Sequence, residues 1–149
     1  MRKIIIYTDG GARGNPGPGA IGVVFANEKG EILKKYSEYL GENFTNNEAE
    51  YLALIFALKK FKQLFGKKLA KNTEIEIRSD SELVVKQLRG EYKVLDPKIQ
   101  PLFLEAWNLR LDFKKVNFKL VPREKNKQAD ELVNEILNSQ NQKLFKLDS

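Results

Sequence analysis

Residues 4–11 read Ile-Ile-Ile-Tyr-Thr-Asp-Gly-Gly, and this stretch decides how the rest of the chain can fold. Residues 4–8 form a continuous run of apolar and β-branched side chains, which is typical of a strand buried on both faces. Asp9 and Gly10 follow at once and indicate the end of that strand. The stretch therefore predicts a central strand with a carboxylate at its end.

The remaining elements follow in an order that predicts one mixed sheet. Residues 20–26 and 31–39 read as two more strands, with Gly30 in a left-handed turn between them. A helix that is apolar almost all round follows Thr45 and ends near Gly66, so we expect it to pack centrally. The second half of the chain predicts strands at 73–79 and 115–121 and helices at 81–88 and 126–138. A further helix is expected to start between Pro97 and Pro101 and to end near residue 111. This order indicates an α/β fold with helices on the faces of a mixed sheet.

Length and composition limit the chemistry of the chain. Its 149 residues, 42% of them hydrophobic, are expected to form one domain at 1–149, with a C-terminal tail at 142–149 docked onto it. The absence of His and Cys excludes zinc fingers, Cys–His proteases and Ser–His–Asp hydrolases. Because no signal segment or membrane span is found, we expect a cytoplasmic monomer without membrane contact. A formal charge of +6 suits a polyanionic partner.

Six of the ten glycines lie between residues 10 and 22. A Gly-x-Gly-x-x-Gly spacing that begins at Gly17 matches the dinucleotide-binding fingerprint, but a strand rather than a helix follows it, so the match is false. Local chemistry leaves two interpretations open. The segment is either a wide hairpin connection or a loop whose backbone amides approach a phosphate, with help from Arg13 and Asn15.

Two carboxylates stand at the ends of predicted strands. Asp9 follows the first strand, and Asp80 follows the strand at 73–79. If these strands are parallel neighbours, about 4.8 Å apart, both side chains meet at the carboxyl end of the sheet, where α/β folds bind ligands. A structural alternative remains for each, since Asp9 can form a turn before Gly10 and Asp80 can cap the next helix.

Two further carboxylates are predicted to face the interior. Thr45 and Glu48 match a capping box, which gives Glu48 a structural role, whereas Glu50 has no such role and lies on an apolar helix. Asp130 lies in line with the buried stripe of the last helix, although an exposed first-turn acid is the alternative. The repulsion between four carboxylates would need divalent cations to neutralise it. Oxygen-only ligands, without His or Cys, favour Mg²⁺ or Mn²⁺ over zinc.

Six lysines between residues 59 and 71 form the most visible basic run. The fifteen helical residues from Glu50 to Phe65 span roughly 22 Å, which places the run far from the carboxylates. We interpret it as a solvated face at a helix C-terminus, so it does not locate the polyanionic partner.

Four motifs at these positions resemble those of type 1 ribonucleases H. The first comprises Tyr-Thr-Asp-Gly-Gly from Tyr7 and Gly-Asn-Pro-Gly-Pro-Gly from Gly14. The others are Thr-Asn-Asn-Glu-Ala-Glu from Thr45, Ser-Asp-Ser from Ser79 and Asn-Lys-Gln-Ala-Asp from Asn126. The resemblance covers nearly the whole chain and implies the ribonuclease H-like fold. In that fold a five-stranded mixed sheet, antiparallel over its first three strands and then parallel, carries helices on both faces.

The resemblance also implies an activity and a site. Family members are endonucleases that cut the RNA strand of RNA–DNA hybrids without sequence specificity, using two Mg²⁺ or Mn²⁺ ions and leaving 5′-phosphate and 3′-hydroxyl ends. By position, the metal-binding catalytic residues are Asp9, Glu50, Asp80 and Asp130. The positions expected to contact the hybrid are Gly11, Ala12, Arg13, Asn15, Thr45, Asn46, Asn47 and Ser81.

The chain departs from the family pattern in two places. Many relatives carry a flexible His in the loop before the fourth motif, where Arg123 is the nearest candidate here. Because arginine stays protonated and cannot act as a general base, we predict that Arg123 takes part in catalysis by positioning or stabilising a phosphate. The basic helical protrusion with which some relatives hold substrate is expected to be absent between residues 88 and 101. Substrate binding is therefore predicted to be weak and salt-dependent.

Two other interpretations stay open. The chain can be the nuclease or integrase-like domain of a polyprotein such as a reverse transcriptase, although its start at Met1 favours a free-standing enzyme. It can also be a non-catalytic duplex-binding module on the same scaffold. That alternative predicts the loss of at least one carboxylate, and all four are present.

Overall fold

The computed structural model describes residues 3–148, and side chains up to residue 140. The strands are β1 (Lys3–Ala12), β2 (Gly17–Ala26), β3 (Ile32–Phe44), β4 (Glu74–Ser79) and β5 (Lys115–Leu120). The helices are α1 (Asn46–Phe65), α2 (Lys67–Lys71), α3 (Glu82–Leu88), α4 (Gln100–Leu109) and α5 (Lys127–Asp148). Single 3₁₀ turns follow α4 at Arg110–Asp112 and precede α5 at Arg123–Lys125. No helix in the described part of the chain is long and apolar enough to cross a membrane.

The five strands form one sheet in the order β3-β2-β1-β4-β5, with the apolar N-terminal strand at its centre. β1 pairs antiparallel with β2, and β2 pairs antiparallel with β3. β1 and β4 are parallel neighbours, as are β4 and β5. The predicted mixed sheet, and the parallel pairing of the strands that precede Asp9 and Asp80, are therefore confirmed.

Helices cover both faces of the sheet, as predicted. Alternation along β1 directs Ile4 and Ile6 into the larger apolar cluster, to which α1 contributes Tyr51, Leu54 and Leu58. A smaller cluster on the opposite face joins Ala20 of β2 to Val133 and Leu137 of α5. This packing confirms the central position predicted for the apolar helix α1, because eight of the ten residues from Ala49 to Leu58 are buried.

Several element boundaries differ from the sequence prediction, among them the start of β2 at Gly17 and the end of β3 at Phe44. β1 does not end at Thr8 but continues to Ala12, because residues 9–12 keep their pairing with β2 after β4 has ended. α5 continues beyond residue 138 to Asp148, because no Gly or Pro interrupts it. The predicted docking of the tail at 142–149 falls on side chains outside the described residues. The short helix α2, within the lysine run, was not predicted.

Two glycines beside Asp9 lie where a helix contacts the sheet, and both positions leave no room for a side chain. A Cβ atom on Gly10 would lie 2.2 Å from the backbone oxygen of Ala49 in α1. One on Gly22 would lie 2.3 Å from the backbone oxygen of Ala129 in α5. Gly10 follows Asp9 in sequence, and Gly22 is the partner of Asp9 on β2. The two helices thus approach the sheet backbone from opposite faces at the position of Asp9.

We expect Gly10→Ala to destabilise the fold, because the added methyl group overlaps the Ala49 backbone and displaces α1 from β1. The free energy of unfolding should fall by about 3 kcal/mol, measured by urea denaturation. Gly11→Ala is the matched control, since its Cβ would contact Val133 Cγ1 at an ordinary 3.5 Å and should change stability by less than about 1 kcal/mol. Equal losses in the two variants would contradict the role given to Gly10.

Candidate active site

Three carboxylates from three different elements converge beside the carboxyl end of β4. One oxygen each from Asp9, Glu50 and Asp80 lies within 4.8 Å of the other two. Asp9 belongs to β1, Glu50 to the start of α1, and Asp80 to the connection between β4 and α3. Asp9 and Glu50 are each only 7% exposed, so water screens their charges poorly. Asp9 lies inside β1, which removes the alternative that it forms a turn.

Glu50 is held in place by two contacts from neighbouring strands. Its Oε1 accepts a hydrogen bond from the Gly10 N–H at 3.1 Å, and its Oε2 lies 3.4 Å from the donating Ser79 Oγ. Thr45 and Glu48 form the predicted capping box at the start of α1. The helix start is therefore satisfied without Glu50, which leaves that carboxylate free for the site.

Asp80 does not cap the helix that follows it. Ser81 is the N-cap of α3, and its Oγ accepts a hydrogen bond from the Val84 N–H at 3.3 Å. The side chain of Asp80 is 14% exposed, and its Oδ2 lies 3.8 Å from the Nε of Arg123. Arg123 itself is 86% exposed, which places its guanidinium group at the mouth of the site.

Asp130 joins the other carboxylates from α5. It lines the same cavity, of about 370 Å³, and its Oδ2 accepts a hydrogen bond from Asn134 Nδ2 at 3.2 Å. Asp130 lies in the first turn of α5, where the helix dipole favours an acid, as the structural alternative predicted. The close packing of α5 against Gly22 also places Asp130 near Asp9. The fold thus surrounds one cavity with four carboxylates.

Burial and neighbouring negative charges raise the pKa values of Asp9, Glu50 and Asp80. Burial is the largest cause for Asp9, whose pKa rises from 3.8 to about 7; the charges of Asp80 and Asp130 add to the rise, and a hydrogen bond with Glu50 opposes it. Burial and the charge of Asp9 raise the pKa of Glu50 as well. Burial also raises the pKa of Asp80, against the charge of Arg123. Neighbouring carboxyl groups with raised pKa values ionise readily only when a positive charge offsets their repulsion. Their oxygen atoms therefore fit a divalent cation such as Mg²⁺ or Mn²⁺.

Most residues predicted to contact the hybrid line this cavity. They are Gly11, Ala12, Arg13, Asn46, Asn47 and Ser81. The other two are not among its lining residues: Asn15 Oδ1 accepts a hydrogen bond from the Asn46 N–H at 2.9 Å, and Thr45 caps α1. The Ala12 N–H in turn donates to Asn46 Oδ1 at 2.8 Å. The glycine-rich segment is therefore a hairpin connection, and it is also fixed to the head of α1 at the edge of the cavity.

Sequence reasoning missed two supporting residues. Ser79 ends β4 and donates to Glu50. Asn126 is 1% exposed; its Nδ2 donates to the backbone oxygen of Thr8 at 2.9 Å, and its own backbone oxygen accepts from the Asp130 N–H at 3.1 Å. Asn126 therefore ties the strand that carries Asp9 to the helix that carries Asp130. A contact across 118 residues has no local signal, although a polar residue just before a helix could have drawn attention.

Basic residues outside the site agree in part with expectation. The lysine run lies at the far end of α1, but Lys59 pairs with Glu105 at 2.5 Å and Lys62 pairs with Asp112 at 2.6 Å. The run is therefore not a purely solvated face, since two of its members join α1 to α4 and the turn after it. Residues 89–99, all of them described, contain turns and no helix, which agrees with the expected absence of a helical protrusion.

Comparisons with known proteins cover most of the chain. A family model described as reverse transcriptase-like matches residues 7–136. A ribonuclease HI of Halobacterium salinarum is 40% identical over 135 residues, which make up 91% of this chain and 64% of that relative. A bifunctional protein of Mycobacterium tuberculosis is 37% identical over 92% of this chain, but the chain spans only 36% of that relative. The solved structure of LC11-RNase H1 in complex with an RNA/DNA hybrid matches with a TM-score of 0.83 and 52% identity, over 89% of this chain and 94% of that one. These matches confirm the architecture expected from the four motifs.

In EDTA, we expect Asp9→Asn to become more stable relative to the unsubstituted protein as pH rises. The Asp9 carboxyl group of the unsubstituted protein binds its proton more tightly in the folded state than in the unfolded state. Its protonation stabilises the fold fully below pH 4, and this stabilisation is lost as pH rises through about 7. The difference in the free energy of unfolding between the two proteins should grow by up to about 4 kcal/mol between pH 4 and pH 8.

Urea denaturation at pH 4, 6 and 8 measures this difference. Glu28→Gln, which removes an exposed acid from the turn between β2 and β3, is the control and should show a nearly constant difference. A flat profile for Asp9→Asn would show that Asp9 ionises as freely in the folded state as in the unfolded state.

Proposed function

The chain belongs to the type 1 ribonuclease H family, and from that premise we propose that it is a metal-dependent endonuclease. Its substrate is the RNA strand of RNA–DNA hybrids, which it cuts without sequence preference to leave 5′-phosphate and 3′-hydroxyl ends. The observation that carries this proposal is the convergence of Asp9, Glu50 and Asp80, with Asp130, around one cavity. The similarity to LC11-RNase H1, whose structure contains an RNA/DNA hybrid, supports the choice of substrate.

The four carboxylates are proposed to hold two Mg²⁺ or Mn²⁺ ions. The donor set fits this role, since it consists of oxygen atoms only, and the buried members have raised pKa values that a bound cation would reverse. When bound, such ions supply Lewis acidity and positive charge at the reacting phosphate. The protein contributes rigidity: Gly10 and Ser79 orient Glu50, and Asn126 links the backbone beside Asp9 to the backbone of Asp130.

The asparagines at the head of α1 are proposed to recognise the RNA strand. Because Asn46 Oδ1 already accepts the Ala12 N–H, the Nδ2 group of Asn46 is left to donate to a sugar hydroxyl or a phosphate oxygen. Asn47 lines the same cavity one residue later. Contacts to 2′-hydroxyl groups distinguish RNA from DNA without reading base sequence, which fits a sequence-independent nuclease.

Arg123 is proposed to bind a phosphate beside the cleaved bond. Its exposed guanidinium group, at the mouth of the site near Asp80, presents a planar set of donors that matches phosphate oxygens. A permanently protonated side chain cannot remove a proton from water, so the role of Arg123 is positioning and charge stabilisation.

The central test is cleavage of a labelled RNA–DNA hybrid with Mg²⁺ or with EDTA. We expect cleavage only with Mg²⁺, and a loss of at least about 1,000-fold in Asp9→Asn. Glu48→Gln is the matched control, because Glu48 lies two residues from Glu50 but serves only the capping box, and it should retain cleavage. Hybrid binding without metal-dependent cleavage would instead identify a non-catalytic duplex-binding module.

We expect Arg123→Ala to lower kcat about 10- to 100-fold while leaving the Mg²⁺ concentration for half-maximal activity nearly unchanged. Steady-state cleavage measured across a Mg²⁺ series separates the two effects. Arg123→Lys should recover part of the rate by restoring the charge, and Lys125→Ala, an exposed change in the same 3₁₀ turn, should behave like the unsubstituted protein. An unchanged rate in Arg123→Ala would remove Arg123 from the mechanism.

A further inference from the structure

A second concave surface, here called the outer groove, lies along the open edge of the sheet. Residues 116–119 of β5 form one side, Trp107 and Arg110 form another, and Arg89 closes the end below α3. Its volume is about 490 Å³, which falls in the size range of small-molecule sites. The carboxylate cavity and the outer groove share no residues.

The lining of the outer groove is cationic. Arg89, Arg110 and Lys119 contribute positive charge, and no acidic residue lines the groove. Arg89 is paired with Glu91 at 2.9 Å. Among the side chains described, Arg110 and Lys119 have no acidic partner within salt-bridge distance. Two cations are therefore left to meet an anion from outside the chain.

Arg110 is oriented by an aromatic ring rather than by an acceptor. Its guanidinium carbon lies 3.6 Å from the centre of the Trp107 ring, a distance typical of face contact. Face contact leaves the N–H groups of a guanidinium free in its own plane. The Nε of Arg110 is buried and has no hydrogen-bond partner in the described part of the protein, which is unfavourable for a buried donor. Because Nε is buried, an oxyanion in the groove would instead pair with the terminal N–H groups of Arg110 and offset the unpaired charge of the guanidinium.

The outer groove lies a short distance along the chain from the mouth of the active site. A cavity beside that mouth is lined by Glu82, Leu120 and Pro122, and also by Asp80 and Arg123, which line the carboxylate cavity as well. Lys119 directly precedes Leu120 in β5. At about 3.3 Å per residue, Lys119 lies no more than roughly 13 Å along the chain from Arg123. A nucleic-acid strand held at the carboxylates can therefore extend into the outer groove.

We propose that the outer groove binds a phosphate group of a nucleic acid, with Arg110 and Lys119 as the binding residues. The inference rests on the proposed function and extends it, since it places a substrate contact on a chain without a helical protrusion. A phosphodiester of the bound hybrid and the phosphate of a free nucleotide share this chemistry. The experiment distinguishes them.

Trp107 is the only tryptophan in the chain, so its fluorescence reports directly on the outer groove. In EDTA at low salt, the protein is titrated with an RNA–DNA hybrid, with adenosine 5′-monophosphate and with polyglutamate of matched charge. We expect a saturable change in emission with the hybrid. In Lys119→Glu, the hybrid concentration for half-saturation should rise about 5- to 10-fold, and the dependence of affinity on salt should weaken by about one phosphate contact.

Lys115→Glu is the matched control. Lys115 and Lys119 are exposed residues of the same strand, four positions apart and on the same face, but Lys115 lies outside the outer groove. The same charge reversal there should shift half-saturation less than about 2-fold. In the cleavage assay, Lys119→Glu should raise KM with little change in kcat, whereas Lys115→Glu should change neither.

The outcomes separate the alternatives. A response to adenosine 5′-monophosphate as strong as that to the hybrid assigns the groove to free nucleotides, and a response to the hybrid alone assigns it to a strand of the substrate. No change in Trp107 emission, equal effects of Lys119→Glu and Lys115→Glu, or an equal response to polyglutamate would overturn the proposal. The fluorescence titration needs no turnover, so failure of metal-dependent cleavage would overturn the proposed function without deciding this one.

Discussion

Bare backbone on both sides of Asp9 is the constraint on which the rest of the structure depends. At Gly10 and Gly22 the sheet has no side chains, so α1 and α5 contact its backbone directly from opposite faces. A larger residue at Gly10 would push α1 outward and break the bond from the Gly10 N–H to Glu50. A larger residue at Gly22 would push α5 outward in the same way, and the close packing of α5 places Asp130 at the cavity. Glycine weakens a strand, and the apolar packing of β1 and α1 offsets that loss.

The buried carboxylates of the site destabilise the folded protein. Asp9 and Glu50 are buried next to each other, and both burial and repulsion disfavour their charged forms. Elements that do not take part in chemistry hold the arrangement together: the capping box starts α1, Ser81 starts α3, and Asn126 connects β1 to α5. Because Thr45 and Ser81 cap the starts of α1 and α3, the carboxylates of Glu50 and Asp80 are free to meet Asp9 and a cation. The metal-free protein therefore carries an electrostatic cost that the proposed ions would remove.

Much of this site could be predicted from sequence because its residues violate local rules. An acid inside an apolar helix, as at Glu50, or directly after an apolar run, as at Asp9, is costly unless something binds it. Local reasoning could not show that β1 continues beyond Thr8, since that depends on pairing with β2 after β4 has ended. The need for glycine at position 22 depends on a helix more than 100 residues later, and the role of Asn126 depends on a strand 118 residues earlier. Such tertiary contacts leave no periodic pattern in the sequence.

The distribution of charge follows from the same geometry. The net charge of +6 suits a polyanion, but four acids occupy the centre of the proposed active site, so cations must contact phosphates from its rim. The lysine run does not serve this purpose, since it lies at the far end of α1 and part of it joins α1 to its neighbours. The cations that line the two cavities are Arg13 in the glycine-rich segment, Arg123 at the mouth, and Arg89, Arg110 and Lys119 in the outer groove. If the outer groove binds a phosphate as proposed, the substrate is held at few points. The position of one stacked guanidinium then counts for more than six lysines at a distant helix end.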